Sequence, residues 1–171
     1  PLLERWVAIR QSQGRTADGA FADGLEALAG IHAVKGDHAG ALTLYERVVS
    51  VRESDDDVDT LAIADTLEQL GREQVALGQT AAAEESYQRA IGIRESTLAE
   101  SHGENAQALH RLGVLLQEQG RYQAAHDAYA RALKLADADD KADQAFVAAR
   151  LTDAGSQERI RGNTRDAMAL L

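Results

Sequence analysis

Four glycines, Gly36, Gly78, Gly120 and Gly162, stand 42 residues apart, and no insertion breaks that interval along the chain. Tyr45, Tyr87 and Tyr129 keep the same spacing, with Leu171 in the fourth place. Leu25, Leu67, Leu109 and Leu151 form another column, and so do Ala41, Ala83, Ala125 and Ala167, and Ala22, Ala64, Ala106 and Ala148. So many columns in phase define a repeat protein, in which each unit buries its apolar face against its neighbours instead of in one closed core. The segments IRQS (Ile9 to Ser12), VRES (Val51 to Ser54) and IRES (Ile93 to Ser96) recur as the ends of one helix per unit.

The clearest unit runs from Ala106 to Leu135. Leu109, Leu112, Gly113 and Leu116 fall on one helical stripe, Gly120 breaks it, and Ala125, Tyr129 and Ala132 make a second stripe. That is a hairpin of two amphipathic helices. Composition agrees with an all-α chain: 44% of residues are hydrophobic, only 4% aromatic, and the one proline is Pro1, so helices must end at glycines and polar joints.

The order Leu109, Leu112-Gly113, Leu116, Gly120, Ala125, Tyr129, Ala132 resembles the tetratricopeptide repeat pattern of a large residue, Leu-Gly, a bulky residue, Gly, Ala, an aromatic and Ala. Leu67, Leu70-Gly71, Gly78, Ala83, Tyr87 and Ala90 repeat it, with Gln74 in the bulky place. A period of 42 exceeds the usual ~34 of this family, and the joint from Ser101 to Leu109 is similar to that of kinesin light chain-type repeats. The resemblance covers essentially the whole chain. It implies a right-handed α-α superhelix of antiparallel helix pairs, a tetratricopeptide solenoid, in which the first helix of each pair lines a concave groove.

The columns divide the chain into residues 1–14, aligned with the second helix of a unit whose first helix is missing, then repeat 1 (19–54), repeat 2 (60–98), repeat 3 (102–136) and a degenerate or truncated repeat 4 (141–171). A lone N-terminal capping helix is the alternative for the first segment. Trp6 falls in the column of Val48, Ala90 and Ala132, and either fills space at an open end or faces a missing domain or a partner. His32 replaces a bulky core residue and reads as a satisfied core or boundary side chain. The acidic joint Asp55-Asp56-Asp57-Val58-Asp59 reads as solvation and helix capping. Thr80 is expected to cap the second helix of repeat 2, and Ser101 with Glu104 has the spacing of a capping box.

With 18 basic against 28 acidic residues the net charge is −10, which argues against nucleic acid or an anionic membrane as partner. No run approaches the ~18 apolar residues of a membrane span. There is no cysteine, hence no disulfide or thiolate chemistry. No HExxH, phosphate loop, GxSxG elbow or dinucleotide fingerprint is present, and the carboxylates read as solvent-facing, so the chain is read as non-catalytic, with no cofactor and no metal. No compartment is assigned, the cytoplasm being favoured.

What the resemblance implies is recognition. Groove positions, about 100° or more round from the core stripe, are Asp23, Glu26, Gly30 and Ala33 in repeat 1; Asp65, Glu68, Arg72 and Val75 in repeat 2; Gln107, His110, Val114 and Gln117 in repeat 3; and Thr152, Ser156 and Arg159 in repeat 4. Their acidic first half suits a protein segment with Lys or Arg. The alternative is a structural or regulatory arm of a larger signalling protein, packing on its own domains or self-associating end to end. Neither the basic clamp of the chaperone-tail binders nor the asparagines of the kinesin light chains is present at these positions.

Overall fold

The structure is a computed structural model and describes residues 2–16, 18–55, 59–97 and 103–138. The described residues form helices joined by short turns: α1 (Leu2–Ser12), α2 (Gly19–Val34), α3 (His38–Glu53), α4 (Thr60–Ala76), α5 (Thr80–Thr97), α6 (Gly103–Glu118) and α7 (Tyr122–Ala138). Pairs α2/α3, α4/α5 and α6/α7 are hairpins, and α1 packs against α2. Two compact units result, Pro1–Thr97 and Leu98–Leu171. Repeat 4 and Ser101, His102 and Asp56 to Val58 lie outside the described residues.

The glycine column closes the hairpins. Gly36, Gly78 and Gly120 have φ of +79°, +72° and +75°, which a side chain adopts only at a cost. At each, the glycine N–H bonds the carbonyl three residues back and the next N–H the carbonyl five back, as in Asp37 N to His32 O at 2.9 Å and Gln79 N to Gln74 O at 2.8 Å. This double bond satisfies the last carbonyls of the first helix. At the opposite ends Asp18, Asp37 and Asp59 accept from the N–H groups of Phe21, Gly40 and Ala62 at 2.9, 3.0 and 3.1 Å. The acidic joint thus caps α4, and Asp59→Ala is expected to lower stability by about 1 kcal/mol, readable as a shifted urea midpoint. Thr80 is not a cap: it is the first residue of α5, and its hydroxyl donates to Gly78 O at 3.2 Å.

In the first unit one buried cluster joins Val7 of α1, Phe21, Ala22, Leu25 and Leu28 of α2, and Val48 and Val51 of α3. A second joins Ala29 of α2, Ala41, Tyr45 and Val49 of α3, Ile63, Ala64, Leu67 and Leu70 of α4, and Ala90 of α5. Within this unit α2 fills the space between α1 and α3, and α4 the space between α3 and α5. In the other unit Leu109, Leu112, Leu115 and Leu116 of α6 and Ala125, Ala128, Tyr129 and Ala132 of α7 are buried. Gly71 and Gly113 are small because an added Cβ would come within 2.7 and 2.5 Å of the rings of Tyr87 and Tyr129. Gln74, polar in a bulky column, is satisfied: it is buried and accepts from Ser86 Oγ at 2.7 Å.

Candidate functional site

The first-helix positions of the acidic half are organised by two arginines that the angular mapping leaves out. Asp23 and Glu26 are three apart on α2, so both carboxylates leave one face of the helix. Arg52, from the last turn of α3, reaches across the hairpin, and its Nη2 donates to Asp23 Oδ1 at 2.9 Å and Glu26 Oε2 at 2.8 Å. Its Nη1 donates to Ala62 O of α4 at 3.0 Å and also to Thr66 Oγ1, whose hydroxyl lies 3.2 Å from Glu26 Oε1. One guanidinium thereby ties α2, α3 and α4 together. Burial alone would lower the Arg52 pKa, but its bonds and attraction to Glu26 and Asp23 outweigh that and hold it above the ordinary value.

The arrangement recurs one period on. Arg94 Nη2 donates to Asp65 Oδ1 at 2.7 Å, and Nη1 and Nη2 both donate to Glu68 Oε2 at 3.1 Å. The Arg94 side chain is 2% exposed and that of Glu68 10%, whereas the Asp65 side chain is 62% exposed and its counterpart Asp23 is 73% exposed. Each cluster is a guanidinium closed over an inner glutamate, with an outer aspartate open to solvent. Two carboxylates against one cation leave each cluster one negative charge.

Several sequence expectations are corrected here. Carboxylates are not confined to solvent faces: Glu68 is buried under Arg94, and Glu73 is buried with Oε2 2.7 Å from His38 Nδ1. His110 is buried, its ring centroid 5.7 Å from that of Tyr129 on the facing helix. Arg72 is exposed and donates to Gln69 Oε1 at 2.8 Å. Val114 is half-buried, as is Gln117, which accepts from the Tyr129 hydroxyl at 2.9 Å. Arg159 lies outside the described residues. His32 is the boundary residue expected, 2.6 Å from Asp37 Oδ2; that contact, with the Gly40 N–H, holds the Asp37 carboxyl below the usual range.

The cluster is absent from the third hairpin at the level of sequence, where Gln107, His110 and Ala136 occupy the Asp, Glu and Arg columns. Arg52 and Arg94 were legible as the arginines of VRES and IRES, 42 residues apart in step with Asp23 and Asp65 and with Glu26 and Glu68. Arg10 of IRQS holds the same column but has no such pair: it donates to Asp18 and lies 5.3 Å over the Trp6 ring. Among the described residues no three His, Asp or Glu side chains are grouped to hold a metal ion, and no helix is long and apolar enough to cross a membrane.

The tetratricopeptide repeat profile matches residues 21–96 and 84–138, and the chain belongs to the tetratricopeptide repeat family. Among solved structures it is similar to the nearly identical TPR-like repeats assigned to a kinesin light chain of Podosopora anserina, with 21% identity, 99% of this chain and 80% of that chain covered, and a TM-score of 0.77. BtubC (BKLC) from P. vanneervenii aligns at 19% identity over 99% of this chain and 71% of its own, with a TM-score of 0.73. MamA aligns at 18% identity over 96% and 89%, with a TM-score of 0.67. At these identities the likeness establishes the fold: an all-α tetratricopeptide solenoid with repeats of the kinesin light chain kind. Comparison with curated proteins finds no match.

Proposed function

We propose that the chain is a non-catalytic protein-interaction scaffold that holds an extended protein segment carrying Lys or Arg along the first-helix faces of α2 and α4. The observation that carries this reading is the repeated cluster, which presents an exposed aspartate, 73% and 62% open at Asp23 and Asp65, on a carboxylate pair already fixed by an arginine. Such carboxylates need little reorganisation to accept a cation, which favours charge-assisted bonds over those of a freely rotating surface side chain. The overall charge of −10 steers basic segments toward the chain. A second reading, a structural arm that packs against another body through its end, draws on the exposed apolar face of α1.

The test is capture from a peptide library by wild type and by Asp23→Asn plus Asp65→Asn. This variant keeps Glu26 and Glu68 with their arginines and so keeps the fold. Wild type should enrich Lys- and Arg-containing peptides, with affinity falling as salt rises, and the variant should lose about tenfold or more of it, the scale of one or two charge-assisted bonds. Equal capture by both proteins would assign the aspartates to solvation and reject the reading.

A further inference from the structure

The two ends of the first helices differ in chemistry. Arg52, at the end of α3, bonds the starts of both α2 and α4, while His38, at the start of α3, lies 2.7 Å from Glu73 near the end of α4. The helices α2 and α4 therefore run parallel, and their acidic starts, with Asp23 and Asp65, share one edge of the first unit. The opposite edge is apolar. Among the described residues outside α1, the exposed large hydrophobic side chains all sit in the last turn of α2 or α4 or just past it: Ile31 (43%), Val34 (91%), Val75 (40%) and Leu77 (39%).

On α2 one stripe joins the two ends. Asp23, Ala27, Gly30 and Val34 follow one another at helical spacing with Ile31 beside them, all exposed except the half-buried Gly30. Glycine is unfavourable in mid-helix, and internal packing does not require it here: an added Cβ would meet nothing nearer than the Tyr45 hydroxyl, at 3.9 Å. Gly30 leaves the helix backbone open between the carboxylate and the apolar side chains. The matching stripe of α4 is different. There Asp65 is followed by Gln69 and Arg72, bonded to each other at 2.8 Å, and the Arg72 charge would repel a basic segment.

We propose that the protein segment held by this unit is bipartite: an extended chain lying along α2, with Lys or Arg on Asp23 and a large aliphatic or aromatic side chain four or five residues away on Ile31 and Val34. The proposal rests on the basic-segment reading and narrows it. Charge complementarity names the first half, because Asp23 is the open member of a cluster that keeps a net negative charge. Exposure names the second half, because an apolar group laid on Ile31 and Val34 removes their surface from water, which a cation alone does not do. The spacing follows from the two backbones. Along a helix that rises about 1.5 Å per residue, Ile31 and Val34 stand about 12 and 16 Å from Asp23. An extended chain advances about 3.3 Å per residue, so about four or five residues cover that distance.

The probes are labelled synthetic peptides on a Gly-Ser spacer, one with Arg alone, one with Arg and Leu five residues apart, and one with Arg and Leu adjacent, each titrated with the full chain by fluorescence anisotropy. Wild type should bind the spaced peptide about tenfold more tightly than either of the others, the scale of partly burying one apolar side chain. The variant Ile31→Ser plus Val34→Ser, altered at exposed positions, should keep its circular dichroism and bind all three peptides alike, at the wild-type affinity for the Arg peptide. Asp23→Asn should weaken all three. Equal binding of the spaced and adjacent peptides by wild type, or a spaced-peptide advantage that survives in the serine variant, would overturn the proposal and leave the basic-segment reading standing. Binding of none of the peptides would reject both. A sedimenting mass that doubles with concentration in wild type and not in the serine variant would also overturn it, since a second copy would then cover the apolar edge.

Discussion

Arg94→Met is expected to lower stability by about 3–5 kcal/mol, the scale for removing one partner of a buried ion pair. The large effect comes from what remains: Glu68, whose side chain is only 10% exposed, loses both of its bonds to the guanidinium. Since small domains are stable by only about 5–15 kcal/mol, such a loss removes a large share of the total. Arg89→Met is the control. Arg89 pairs with Glu53 on the surface, with both side chains well exposed, and its removal should change stability by less than about 1 kcal/mol. Urea unfolding followed by circular dichroism measures both. In a repeat array the loss is expected first in the hairpin that carries the substitution, so hydrogen exchange of α4 and α5 amides is the sharper readout.

Phe21→Ala should cost a similar amount, about 3–5 kcal/mol, for a different reason. Phe21 is fully buried where α1, α2 and α3 meet, and its removal leaves a cavity that the flanking helices close only in part. The ring also supports Trp6 on one side and lies 5.1 Å under the Arg47 guanidinium. Two signals should therefore move together, a lower melting temperature and a Trp6 emission shifted to longer wavelength as the indole loses its stacking partner. Trp6 emission unchanged in a folded Phe21→Ala protein would show that Gly24 alone holds the indole.

How far the sequence carried the structure depends on which interaction each residue answers to. Helix pairs and their turns were legible because they are local: Gly36, Gly78 and Gly120 are needed for a left-handed residue in each turn, and the leucine columns follow from helical period alone. The fate of charge was less legible. A projection of α4 by itself puts Asp65 and Glu68 away from the core stripe, yet it says nothing of a side chain arriving from α5, and Arg94 does arrive. The burial of His110 is likewise invisible to a single-helix projection, since its contact with Tyr129 belongs to the facing helix. Thr80 was assigned as a cap from residue type, but the Schellman turn at Gly78 lets the helix start there and leaves its hydroxyl as a donor. Buried polar pairs such as Gln74 with Ser86 are found only by reading columns of both helices at once.

That lesson bears on function as well. An acidic face in a tetratricopeptide protein invites the reading of a ligand-seeking surface, but here the inner glutamate of each cluster is first a partner within the hairpin. The outer aspartates, Asp23 and Asp65, are the solvent-exposed members of the clusters. Glu68 is therefore the wrong residue to alter in a binding experiment, since its loss strands Arg94.

The most direct test of this account is a double-mutant cycle on Glu68 and Arg94, with Glu68→Leu, Arg94→Met and the pair together, each unfolded in urea. The account predicts that both single variants are strongly destabilised and that the double variant recovers much of the loss, with a coupling of about 2 kcal/mol or more. A coupling within about 0–1 kcal/mol, the range of an exposed pair, would contradict it and return these carboxylates to the solvent.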